Sequence, residues 1–154
     1  MRELRSEFLF HLRLQVDPEP QPIGVVPLGQ RRITIIKSGT FEGPRLRGNV
    51  VPGANAAWVI VRGDGAVQLQ ARVTLRTDDG AWIFMSYPGI GYGAKEVMER
   101  VNTGRAADPG DYYFRITPLF ETSAPAYAWL NTIMAVGVGE RAAEGPNYDV
   151  HQIL

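Results

Sequence analysis

The chain contains no cysteine. That removes disulfide bonds, a thiolate nucleophile and any zinc–thiolate centre, and it fits a reducing compartment, so a cytoplasmic location is expected. Histidine is almost as scarce, present only as His11 and His151. Terminal strands of a closed barrel could bring these two together, but no acidic third ligand accompanies them, and no metal site is expected. Neither sign of charge is in excess, because 16 basic residues cancel 16 acidic ones. Without a basic field there is little to gather a polyanion, so nucleic acid is not an expected partner. Long apolar runs are missing too. Phe8-Leu9-Phe10 is cut by His11 and Arg13 and preceded by mixed charges, which argues against both a signal peptide and a membrane span.

Catalytic signatures are equally thin. Gly89-Ile90-Gly91-Tyr92-Gly93 lacks the Lys-Ser/Thr of a phosphate-binding loop and does not sit in a βαβ unit. Ser38, Ser86 and Ser123 lack the Gly-x-Ser-x-Gly elbow that exposes a nucleophile above a sheet. Arg62-Gly63-Asp64 spells an adhesion tripeptide, yet a hairpin turn accounts for the same residues. No cofactor motif and no internal repeat is present.

What the chain does have is turn chemistry spaced between alternating runs, with 17 glycines and 11 prolines in 154 residues. The stretch Ile36 to Gly53 joins two β-like runs at a Gly43-Pro44 corner, with Glu42 beside it. Phe8, Phe10, Leu12, Leu14 and Val16 alternate with polar partners as a first strand. Asp17 to Pro22 removes several backbone donors and reads as a surface connection, followed by a strand over Ile33-Ile36. Two Asp/Gly turns, Arg62-Gly65 and Thr77-Gly80, bracket a long strand from Ala66 to Arg76. Ala81 to Met85 is apolar on both faces and needs cover on its exterior, from protein or from an oligomer partner.

Pro88 to Gly93 reads as a loop, and Ala94, Val97, Met98 and Val101 recur at helical spacing, predicting one short helix near 94–102. Further strands are expected over Tyr112-Thr117, Tyr127-Val138 and Tyr148-Leu154. The pattern predicts one all-β domain over 1–154, an antiparallel closed β-barrel of about eight to ten strands, wide enough to hold one small ligand.

Several polar residues stand inside these strands: Glu42, Asp64, Arg72, Thr74, Tyr113, Arg115, Thr117 and Asn131. Arginine forks could hold a carboxylate or enolate oxygen, Glu42 or Asp64 could take a proton, and Tyr113 could donate one. Ordinary polar-out alternation accounts for the same residues as the solvent-facing side of each strand.

The blocks Gly39 to Gly53, Asp64-Gly65, Ala71 to Gly80, Tyr112-Tyr113-Phe114-Arg115, Phe120-Glu121 and Trp129-Leu130-Asn131 together resemble the domain-of-unknown-function 3237 family, in that order and over nearly the whole chain. The resemblance implies a lipocalin-like barrel of bacteria and fungi, some of whose members look like accessory proteins or cofactor-free enzymes of small-molecule metabolism. The matched polar positions are Glu42, Asp64, Arg72, Tyr113, Arg115 and Asn131, with Trp129 as a wall. One block departs from the family pattern. Pro52-Gly53-Ala54-Asn55-Ala56-Ala57-Trp58 is one residue longer than the family's Pro-Gly-Gly-Ala-Asp-Trp and has Ala57 before Trp58 in place of the acid.

The resulting expectation is a barrel that takes a small, partly aromatic molecule into its lumen and acts on it as a cofactor-independent lyase, isomerase or cyclase. Glu42 would be the base, Arg72 and Arg115 the anion clamp and Tyr113 the donor. Asp64 and Asn131 would add polar contacts, and Trp58, Trp129, Tyr113 and Phe114 the walls. Two alternatives stay open. One is a ligand carrier with the same pocket, and the other an oligomeric structural protein with a filled barrel and Trp82 and Phe84 packed across a subunit interface.

Overall fold

A computed structural model describes residues 1–154. The strands are β1 (Ser6–Val16), β2 (Gln21–Val26), β3 (Gly29–Glu42), β4 (Arg47–Val50), β5 (Ala56–Val61), β6 (Val67–Thr77), β7 (Trp82–Gly93), β8 (Tyr112–Ile116), β9 (Leu119–Glu121), β10 (Ala135–Arg141) and β11 (Pro146–Ile153). Eight of them close a ring in the order β1-β3-β5-β6-β7-β8-β10-β11, every contact antiparallel. The expected closed barrel is therefore present. β2, β4 and β9 pair outside the ring, on β3, on β3 and β6, and on β7 respectively. The expected helix is α1 (Lys95–Asn102), and no helix is long and apolar enough to cross a membrane.

Alternation decides which residues fill the barrel. Along β6, Val67, Ala71, Val73, Leu75 and Thr77 are buried while Gln68, Gln70, Arg72 and Arg76 are exposed, so the interior face follows directly from the period of two. On β1 the register shifts between Phe8 and Phe10, and this bulge buries Leu9, where strict alternation had placed Phe8. One half of the barrel is solid. Phe10, Leu12, Phe41, Val73, Leu75 and Met85 meet there, with the Phe10 ring edge-on to Phe41 at 5.7 Å and to Phe120 at 5.9 Å.

Two expected segments differ. Pro88 to Gly93 is no loop but the second half of β7, which runs unbroken for 12 residues. Pro88 is tolerated because β7 changes partner beside it, from β9 at Ser86 to β8 at Gly89, so its missing N–H falls where no ladder bond is required. The stretch from Tyr127 also differs, since a 3-10 segment (Pro125–Thr132) precedes β10 and plugs the solid end with Leu130. The hairpin glycines behave as their sequence implied, with Gly65 at φ 85° and Gly80 at φ 96°. Gly43 is needed for another reason. A side chain there would meet the Leu9 carbonyl oxygen at 1.9 Å, so the corner demands close backbone approach and not unusual angles.

The lengthened Pro52–Trp58 block contains a residue with a clear structural use. Asn55 is 2% exposed, its Nδ2 donates to the Val51 carbonyl at 2.6 Å, and its Oδ1 accepts from the Thr74 N–H at 2.8 Å. Its carbonyl accepts from the Ile36 N–H at 3.0 Å, so one residue ties β3, β6 and the end of β4. Asn55→Ala strands a buried N–H and a buried carbonyl. The expected cost is about 2 kcal/mol, a fall in Tm of roughly 4–8 °C by calorimetry, and an unchanged Tm would refute this bonding role.

Candidate functional site

The other half of the barrel is hollow. Its mouth is formed where β1, β5, β7 and β10 end and β3, β6, β8 and β11 begin, and α1 lies across it with Met98, Val101 and Asn102 facing in. The cavity has a volume of about 80 Å³. Val59, Val67, Leu69, Met98 and Phe114 make its sides apolar. Gly139 lets the Phe114 and Tyr148 rings pack against its backbone, since a side chain there would meet both at 2.9 Å.

Two arginines enter this apolar space. Arg32 of β3 shares the inward phase of Thr34 and Ile36, and Arg141 of β10 shares the inward phase of Ala135, Gly137 and Gly139. Neither forms an ion pair with any carboxylate of the chain. Burial lowers the pKa of both guanidinium groups, and the neighbouring Arg141 charge lowers that of Arg32 further. Arg141 Nε is fully buried with no hydrogen-bond partner. An unpartnered buried N–H beside a second cation is costly on its own and is relieved by an anion.

Three phenols complete the polar lining. The Tyr112 hydroxyl accepts from the Arg141 backbone N–H at 2.8 Å, which leaves its own proton free to donate. Tyr87 and Tyr148 stand edge-to-face at 5.6 Å, and burial pushes the pKa of both upward, so both stay protonated over the neutral range. Neither a carboxylate nor an imidazole lines the cavity. Its polar groups present donors at every position except the Thr34 and tyrosine oxygens and the Asn102 amide, which can also accept.

The residues expected from sequence lie elsewhere, with one exception. Phe114 does line the cavity. Glu42 is exposed on the outer face, opposite His11 on β1 and Arg47 on β4. Arg72 and Trp58 lie together, the guanidinium 5.5 Å from the ring, but in an outer groove between β5 and β7 and not in the lumen. Arg115 lies over the Tyr113 ring at 4.6 Å, again on the outside, and Tyr113 is half-exposed. Asp64 closes a hairpin turn, accepting from Arg62 and from the Ala66 N–H, and those bonds hold its carboxyl below the usual range. Asn131 clips the 3-10 segment to Thr122 by bonds of 2.8 and 2.9 Å. Trp129 is stacked under Arg45 at 3.5 Å near the solid end. The terminal strands do pair, but the Phe8 ring sits between the two imidazoles and His11 binds Asp149. No group of three His, Asp or Glu side chains could hold a metal.

Arg32 and Arg141 fall just outside the runs that read as strands from sequence, Ile33-Ile36 and Tyr127-Val138, so neither is among the sequence-predicted site residues. The signal was phase: counting by twos from Ile36 and from Gly137 puts both inside.

A closed eight-stranded antiparallel barrel, solid at one end and hollow at the other, defines a class of small barrels of ligand-holding size. The chain belongs to the DUF3237 family, described as protein of unknown function, whose model matches residues 4–153. A UPF0311 protein of Rhodopseudomonas palustris is 33% identical over 151 residues, covering 98% of this chain and 97% of that protein. Its crystal structure superposes with a TM-score of 0.93 at 32% identity and full coverage of both chains. A barrel-like protein of Acinetobacter baumannii gives a TM-score of 0.87 at 35% identity, over 100% of this chain and 98% of that one. The fold also extends to a Penicillium herquei protein described as an enzyme, with a TM-score of 0.76 at 23% identity over 100% of this chain and 97% of that one.

Arg141→Met removes a buried charge that has no partner while keeping its stem. The ligand-free protein is expected to gain up to about 1 kcal/mol, or roughly 2–4 °C in Tm by scanning calorimetry. A fall in Tm would mean that Arg141 supports the fold.

Proposed function

We propose that the protein binds, in the hollow half of its barrel, a small molecule with an apolar body and one anionic group, a carboxylate or an enolate. Arg32 and Arg141 hold the anion, and Thr34 and the phenols supply further donors. The observation that carries this reading is the buried Arg141 Nε with no partner, beside a second arginine that also lacks one. Natural chains rarely leave such a group orphaned without a use, because apolar replacements are neutral or stabilising. The body of the ligand packs on Val59, Leu69, Met98 and Phe114.

The same lining bears on chemistry. Protonated phenols and guanidinium groups stabilise negative charge on a bound oxygen, as an enolate requires, but no base stands among them. Isomerase or lyase activity in this cavity therefore needs a substrate that arrives as its own anion or exchanges its proton with water at the mouth. Carriage of the ligand needs neither.

Benzoate and its neutral twin benzyl alcohol distinguish charge recognition from apolar filling. About 10 mM benzoate is expected to raise Tm by roughly 2–4 °C, with a smaller shift from benzyl alcohol and none from benzoate in Arg32→Met/Arg141→Met. Equal shifts from the two probes, or a benzoate response kept in the double variant, would sink the proposal.

A further inference from the structure

The outer face of β7 carries a feature that the lumen does not explain. Its outward residues are Trp82, Phe84, Ser86, Pro88, Ile90 and Tyr92, none of them charged, with Trp82 55% and Tyr92 54% exposed. About Tyr87, which points inward, this row reads alike in both directions: aromatic, apolar, small, small, apolar, aromatic. Beside it on the neighbouring strands stand two more exposed apolar side chains, Tyr113 and Leu119.

We propose that this face docks a second copy of the chain about a twofold axis crossing β7 at Tyr87. Such an axis lies between the two sheets and stacks one β7 antiparallel on the other. Trp82 then faces the partner's Tyr92, and Phe84 faces the partner's Ile90. Small Ser86 lies against the partner's Pro88, where the sheets come closest. The large rings at the ends span the gap opened there by the crossing angle of about 30° between packed sheets.

Charge fits the same axis. β8 and β9 pair with the same edge of β7, Arg115 opposite Ile90 and Glu121 opposite Phe84. Ile90 and Phe84 are equally far from Tyr87, so the rotation brings Glu121 onto the partner's Arg115, twice in each dimer. Within one chain the two are six β7 residues apart, about 20 Å of strand, and neither forms an ion pair. The six large exposed side chains of the face, each about half open, offer roughly 600 Å² per copy against about 800 Å² per partner in a standard interface. Arg72, Arg76 and Gln70 of β6 extend it as a polar rim.

Sedimentation equilibrium of the full chain at about 100 µM tests this, with Arg115→Glu, Glu121→Arg and the double swap as variants and circular dichroism as the check on folding. The expected result is a wild-type dimer, each single swap at least tenfold weaker in association, and the double swap restored. A wild-type monomer, single swaps that dimerise as well as wild type, or a double swap as weak as the singles would overturn the proposal.

Discussion

Closure of the sheet is the constraint on which everything else in this protein depends. Once eight strands pair in a ring, the diameter is set and the side chains pointing inward must either fill it or leave it hollow. At one end Phe10, Phe41, Phe120 and Leu130 are bulky enough to fill it. At the other end Ala57, Gly91 and small or medium aliphatic residues are not, and the space goes to two arginines and three phenols. The division between core and cavity is therefore a matter of side-chain volume along a common scaffold.

The arginines show how a cavity changes the energetics of a barrel. In a packed core a guanidinium without a counterion would be replaced by an apolar residue at no loss to folding. Here the free chain carries that unfavourable burden at Arg141, and α1 closes the mouth with apolar Met98 and Val101 in place of a neutralising acid. Asp17 and Glu144, which share an outer cleft with Arg32 and Arg141, contact Lys37 and Gln15 respectively. Under the proposed function, stability held back in this way would return on anion binding, which would link affinity to folding.

Much of the fold was legible because local signals agreed. The alternation in β6, the Asp/Gly turns with positive φ at Gly65 and Gly80, and the helical spacing in α1 all carried through to the structure. The second half of β7 was read as a loop, since a proline and three glycines outweigh a strand whose partners are unknown. The residues Arg72, Arg115 and Glu42 were noticed because they interrupt apolar runs, yet in a one-sided sheet that interruption is the solvent face. Arg32 precedes and Arg141 follows the runs that read as strands from sequence, and only strand phase, in β3 up to the register shift near Ile36 and in β10, places them inside. Asn55, in the block that departs from the family pattern, holds three segments together.

The seam between β1 and β11 joins residues as far apart as His11 and Asp149, 138 positions along the chain. Hairpins such as β5-β6-β7 form from neighbouring sequence, whereas that seam closes nearly the whole chain and carries the largest loop-closure cost. Until it zips shut, the ring is an open sheet with two bare edges and an unsealed interior. The pairing with the widest separation along the chain is thus also the one that closes the ring around the cavity.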